Sequence, residues 1–517
     1  MTTIESSNSR DNVALPGQEF PVGNITSEWW SVCRFAMTLS WEFTDRLYRK
    51  ATIGALPYHV LLDIFNFLVH VPQPHYPFSN PSGAILDAWH TLLHVCRRWR
   101  HVVLGSPRSL DLKLHCTNRT PVRTMLDIWP ACPIVVFCHR SPGFTLRGVR
   151  NVIAALKCCD RVCEIRLWGV QKSLLKRFAV LNASFPELKS VQLSLADDGN
   201  SPAVLSDSFL GGFAPRLQSL DLYGISFPHP QKLLLSTTDL VTLRLEDIPS
   251  SGYISPEEMA SCLSGLTKLE QVALGFRSIQ AGISLHPEYM RQHPPLHSHC
   301  VLPALTSLRF RGRRNYFEAL ISRIGVPPLE DLDITFFFHI EDNAMILQLH
   351  EFINRIEGLE APHRADIAID NQSVQVTISR PEGMVNRGTL KVGMLSKRAD
   401  DQLSYLVHFC KSSLLPLSTL EHLHLHGSFP RSPHYLLETF RWSDVFLPFT
   451  SVKNLHVSKE LAIGVSDALQ QSAAERVLPA LQNIFLPGSQ PSGALLQANT
   501  QLAANRQHSG RPVSVHY

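Results

Sequence analysis

The sequence has no C-x-x-C pair, no G-x-S-x-G, no G-x-x-x-x-G-K-[ST], no H-E-x-x-H and no G-x-G-x-x-G. That removes the common short signatures of structural zinc sites, nucleophilic hydrolases, P-loop nucleotide binding, zinc proteases and dinucleotide binding. It also lacks any block of five or six basic residues, and its formal net charge is only +4. So mild and evenly spread a charge argues against nucleic acid or an anionic membrane as the partner. Long apolar runs are missing too. Stretches such as ITFFF at 334–338 fall far short of the roughly 18–20 residues a membrane helix needs. The opening segment MTTIESSNSRDN has no apolar core of the kind a secretory leader carries. A cytoplasmic or nuclear protein is therefore expected. The N-x-S/T matches at Asn24, Asn118, Asn182 and Asn371 then carry no meaning. The 11 cysteines are odd in number and scattered, as suits free thiols in a reducing compartment. No cofactor and no metal are expected.

What the sequence does have is a globular composition, 44% hydrophobic and 18% charged, and an internal repeat. TLEHLHLHG has relatives in PELKSVQLS, PRLQSLDLYG, TDLVTLRLED, PALTSLRFRG and PALQNIFLPG. The shared frame is apolar-x-x-apolar-x-apolar. Its leading residues are Val162, Leu188, Leu217, Leu240, Leu269, Leu305, Leu329, Leu420, Val452 and Leu481. They recur every 23–36 residues apart from one gap of 91, in which ADIAID (365–370) and TLKVGML (389–395) fit as degenerate units. This is the leucine-rich-repeat pattern. The expected fold class is α/β, with residues 111–488 forming a curved solenoid, strands on its concave face and helices on its convex face. Helices are expected at 173–182, 255–270, 316–325, 343–357, 401–414 and 459–476. In the best of them Ser255 caps the helix, Pro256 suits the first turn, and Met259, Cys262, Leu263 and Leu266 form one stripe. Residues 489–517, rich in Gln, Ala, Ser and Gly, are expected to be disordered.

Side chains alternate across a strand, so each frame also names outward residues. Those chosen as candidates to hold a client protein are Trp168, Tyr223, Arg244, Arg309, Arg311, Asp331, Asp333, His422, His424 and His426. Their mixed charge with occasional aromatics suits a protein surface better than a uniformly charged polymer. The last three sit in EHLHLHG, a spacing that invites a metal reading. His422 and His424 have the spacing of an H-x-H chelating pair, but a third consecutive same-face residue reaches a shared ion poorly. The alternation is read instead as the exposed half of one strand. An imidazole patch there makes client binding sensitive to pH near 6–7. LHSHC (296–300) and the Cys158, Cys159, Cys163 group are read as a polar loop and as ordinary packing.

Residues 51–110 do not follow the repeat. IGALPYHVLLDIFNFL puts Leu56, Val60, Leu61, Ile64, Phe65 and Leu68 on helical spacing, with Pro57 just inside the start. After a Pro- and Ser-rich loop at 71–83, AILDAWHTLLHVCRRWRHVV carries Trp89, Leu92, Leu93, Val95, Cys96 and Trp99 on a second stripe. A bundle of about 50 residues is marginal alone and is expected to dock on something.

These residues resemble an F-box, whose usual form is LP-x-E-[VIL]-L-x-x-[IV]-[FL]-x-x-L followed by V-C-[RK]-x-W. Leu56-Pro57, Val60-Leu61, Ile64-Phe65, Leu68, Val95-Cys96-Arg97 and Trp99 match; His59 stands where the usual Glu would be. From about residue 50 onward, segments such as 106–136 and 406–427 resemble F-box proteins of mushroom-forming fungi. The resemblance implies docking onto the S-phase-kinase-associated adaptor of a cullin–RING ubiquitin ligase. It implies a client captured by the repeat region and no catalytic residue in this chain. Leu56, Pro57, Val60, Leu61, Ile64, Phe65, Leu68, Trp89, Leu92, Val95, Cys96 and Trp99 are the implied adaptor contacts. A scaffold acting outside a ligase is the alternative. Residues 1–50, with Trp29, Trp30 and Trp41, are expected to be a partly disordered lead-in.

Overall fold

The computed structural model describes residues 56–70, 88–107, 109–118, 121–128, 131–139, 146–170, 175, 179–195, 203–227, 229–277, 300–337, 352–353, 362–379, 388–396, 398–411, 417–428, 440–470, 477–486 and 493–517. The lead-in at 1–50, the 71–83 loop, most of the expected 343–357 helix and His297 and His299 lie outside them. The chain divides into two compact units, one reaching Leu110 and the other containing Asp111–Tyr517.

In the first unit, α1 spans Tyr58–His70, α2 Ala88–Leu92 and α3 Arg97–Gly105. Leu61 and Phe65 stand one turn apart on α1 and are both fully buried. The Phe65 ring meets the Trp99 ring of α3 at 4.7 Å between centroids. Each such ring removed from water contributes about 1.5–3 kcal/mol. Pro57 precedes the first turn and its carbonyl accepts the Leu61 amide at 3.2 Å. Arg98 on α3 donates to the Leu56 carbonyl and so ties the two sequence blocks together.

The second unit is a mixed α/β body built on one sixteen-stranded, mostly parallel sheet. Its strands are β1 Leu114–Thr117, β2 Ile134–His139, β3 Val162–Val170, β4 Ser190–Leu195, β5 Ser219–Tyr223, β6 Thr242–Ile248, β7 Gln271–Phe276 and β8 Ser307–Gly312. They continue as β9 Asp331–Phe337, β10 Arg364–Asp370, β11 Ser373–Ser379, β12 Thr389–Leu395, β13 His422–Ser428, β14 Asn454–Val457, β15 Asn483–Phe485 and β16 Ser514–His516. Burial alternates along them, as in DLDITFF of β9, so that one face is packed and the other open. The ten leading residues of the repeat frame all lie in the core, none more than 2% exposed. β1 and β2 precede the first recognised repeat.

Strand order follows the chain except at one place, where it runs β9-β12-β11-β10-β13. The 91-residue gap therefore holds a reversed insertion and not successive repeats. β10 and β11 form an antiparallel hairpin, and β11 also runs antiparallel to β12. Asp370 makes the turn: its carboxylate accepts the amides of Gln372 and Ser373, both at 2.7 Å. The outer strands of the insertion, β12 and β10, pair parallel with β9 and β13.

Helix α4, Pro256–Leu263, starts at a complete capping box. Ser255 Oγ accepts the Glu258 amide at 3.2 Å, and the Ser255 amide donates to Glu258 Oε2 at 3.1 Å. Met259, Cys262, Leu263 and Leu266 are all buried. Helices at Arg314–Ile321, Ala399–Lys411 and Ala462–Gln470 fall close to their expected places, while 179–182 is a 3-10 turn. The expectation of a disordered tail is corrected. Residues 493–508 form a helix, α5, and β16 pairs in parallel with β15. Polar anchors hold this end. Ser466 donates to Asn499 at 2.8 Å, and buried Arg506 donates to the carbonyls of Leu478 and Val477 at 3.0 and 2.8 Å. Composition alone hid this, because these polar groups are satisfied by partners distant in the chain.

Candidate functional site on the open sheet face

Strand register builds the open face in rows. One row runs Arg166, Gln192, Asp221, Arg244, Ala273, Arg309, Asp333, Lys391, Thr377, Asp366, His424, His456, Phe485, His516. Its first half mixes both signs of charge. Arg309 reaches Asp333 at 3.2 Å and Glu246 at 3.8 Å. Arg244 donates to Gln271 at 3.1 Å. Its second half is mostly imidazole and aromatic.

The candidate client residues fall into two groups. Trp168, Tyr223, Arg244 and Arg309 line a shallow groove of about 350 Å³ together with Asp221 and Glu246. Tyr223 and Arg309 also border an adjoining groove of about 280 Å³, with Arg311 and Asp333. Asp331 is exposed but one step out of that row, opposite Ser307 and Thr389. Trp168 is held by edge-to-face contact with Phe137 at 5.7 Å. Burial pushes the Asp221 carboxyl up. Arg244 beside it works in the opposite direction without reversing the shift.

His422, His424 and His426 belong to the second group. Strands β10, β11 and β12 stand between β13 and β9, which puts this group about 19 Å from Asp333 at about 4.8 Å per strand. The His424 ring stacks on His456 at 4.0 Å, His456 on Phe485 at 4.3 Å, and Phe485 on His516 at 4.8 Å, with interplanar angles of 11–15°. Beside this stack, Asn483 donates to Asn454 Oδ1 at 2.9 Å. Two carboxylates join the histidines. Asp366 Oδ1 lies 3.9 Å from His424 Nδ1 and 3.8 Å from His426 Nε2. Glu421 clusters with His422 and His363. Lys453 hydrogen-bonds Glu421 at 2.7 Å and thereby lowers its pKa. Sequence reasoning missed Asp366 and His363, because nothing in the chain order brings β10 beside β13, and it passed over Glu421 although that residue directly precedes His422.

The expectation of titration near pH 6–7 shifts accordingly. Burial, with His456 and Arg364 adding to it, brings His424 down to about 4. His422 and His456 are lowered as well, burial being the main cause in both. His424 is therefore neutral through the range in which the sequence suggested a switch.

In the first unit the twelve implied adaptor contacts divide by burial. Leu61, Phe65, Trp89, Leu92 and Trp99 are core residues. Leu56, Val60, Ile64 and Leu68 are half-buried, and Pro57, Val95 and Cys96 are exposed. Exposed Tyr58 and Phe67 on α1 were not anticipated. Among the described residues, no helix is long and apolar enough to cross a membrane. Comparison with protein-family models and with curated proteins finds no match for the chain.

Proposed function

We infer that this chain is a substrate receptor of a cullin–RING ubiquitin ligase. Its first unit is the F-box that docks on the adaptor, and its sheet is a leucine-rich-repeat solenoid that recruits a client. The observation that carries this reading is the pairing of the two F-box-like sequence blocks, on α1 and α3, through Phe65 and Trp99. The buried members make the module's own core. Adaptor contact falls to Leu56, Pro57, Val60, Ile64, Leu68, Val95 and Cys96, as apolar knobs in a groove. A few such anchors dominate an interface of this kind. The client is held by the mixed-charge grooves at Trp168, Tyr223, Arg244, Arg309, Arg311 and Asp333. Tethering then raises the effective concentration of the ubiquitin-carrying enzyme near client lysines. No bond is made or broken by this chain.

The test is affinity purification of the tagged full chain co-expressed with adaptor and cullin. Recovery of both, lost on Leu56→Ala/Pro57→Ala, is the expected result. If neither is recovered, or the double substitution changes nothing, the reading fails. Adaptor without cullin assigns the chain to a scaffold outside the ligase.

A further inference from the structure

We propose that Asp366, His424 and His426 form a binding site for a divalent transition metal of the zinc class on the open face of the sheet. Their three ligand atoms all lie within 4.8 Å of one another. Ligands of a tetrahedral zinc ion, bonded at about 2.0–2.1 Å, stand roughly 3.3 Å apart. The two nitrogens are 3.9 and 3.8 Å from the shared oxygen Asp366 Oδ1, so closing on an ion takes side-chain movements of well under an ångström for those pairs.

Two strands fix the arrangement. Asp366 of β10 is the register partner of His424 of β13, and His426 is the next same-face residue along β13. The three are held by backbone ladders and not by a loop. The His424 ring is further fixed by its stack on His456, which leaves Nδ1 facing the carboxylate. Arg364 orients that carboxylate, donating from Nη2 to Oδ1 at 2.6 Å and from Nε to Oδ2 at 2.9 Å. Hydrogen bonds from an outer partner are usual for metal-bound carboxylates. The guanidinium charge also weakens the ion's hold, so a dissociation constant on the order of micromolar is expected.

Two imidazoles and one carboxylate favour zinc, cobalt, nickel or copper over magnesium or calcium. The donor set leaves coordination positions for water or for a ligand's carboxylate or imidazole. This inference does not depend on the ligase reading, since it concerns the isolated chain and its outcome is blind to adaptor binding.

The test uses the purified full chain at neutral pH, with zinc competed against a chromophoric chelator and cobalt followed by absorption. One equivalent is expected, weakened roughly tenfold or more by His426→Ala and by Asp366→Asn but not by His363→Ala in the neighbouring cluster. His426 is 57% exposed, so its variant should melt like the parent. The cobalt spectrum should lack the thiolate charge-transfer band that a cysteine site would give. The proposal is overturned if there is no uptake, if the uptake is unchanged by both His426→Ala and Asp366→Asn, or if it is abolished by His363→Ala alone.

Discussion

Asp366 and His424 stand opposite one another on adjacent parallel strands, although two further strands and a helix separate them in the chain. The reversed insertion causes this. Had β12 neighboured β13 in the ordinary order, the register row would have set Lys391 beside His424 in place of a carboxylate. A cation would then face the imidazole, and no metal could share them.

Arg506 tests whether the C-terminal end is part of the folded body. Arg506 is 6% exposed and donates to two carbonyls; Arg506→Ala leaves that of Val477 without this donor, while Leu478 still accepts the Leu481 amide. A loss of about 1–3 kcal/mol is expected in urea unfolding, with faster proteolysis after residue 490. An unchanged midpoint would mean this end packs on nothing.

Glycines 252 and 265 should respond in opposite ways. A methyl at Gly252 would stand 2.7 Å from Ser226 Cα, a backbone atom that cannot swing aside. Gly252→Ala is therefore expected to cost about 1–3 kcal/mol. Gly265 has nothing within 4 Å, and Gly265→Ala should be neutral or stabilising by up to about 1 kcal/mol through the unfolded chain. Equal effects at the two sites would contradict the packing around Ser226.

Asp221 gives a pH signature. Its folded pKa is raised above the unfolded value by burial. The stability it contributes is thus present below the ordinary carboxylate range and is lost as pH rises through the raised value. Asp221→Asn removes that loss. The variant should gain on the parent as pH rises out of the ordinary carboxylate range, read from urea midpoints of the two proteins across pH. A stability difference that does not change with pH would show that Arg244 fully compensates the burial.

Much of the sheet was legible because the repeat frame obeys local physics. Period-two alternation decides which side of a strand is buried, and Leu423 and Leu425 inside with His422, His424 and His426 outside follow from it. The cap at Ser255 was readable for the same reason, since its partner lies three residues away. The end of the chain was not, because Asn499 and Arg506 find their partners 33 and 28–29 residues back.

The sequence by itself determined the repeat strands, their packed and open faces and the presence of two apolar helical stripes before them. These are set by side-chain spacing within one segment. Only the tertiary structure decided which segments became neighbours: that β10, and with it Asp366, pairs with β13, and that Phe65 meets Trp99. Strand order depends on hydrogen bonds between segments far apart in the chain, and side-chain spacing within a segment does not encode it. The three histidines of EHLHLHG were visible as an exposed row. The carboxylate beside them was not.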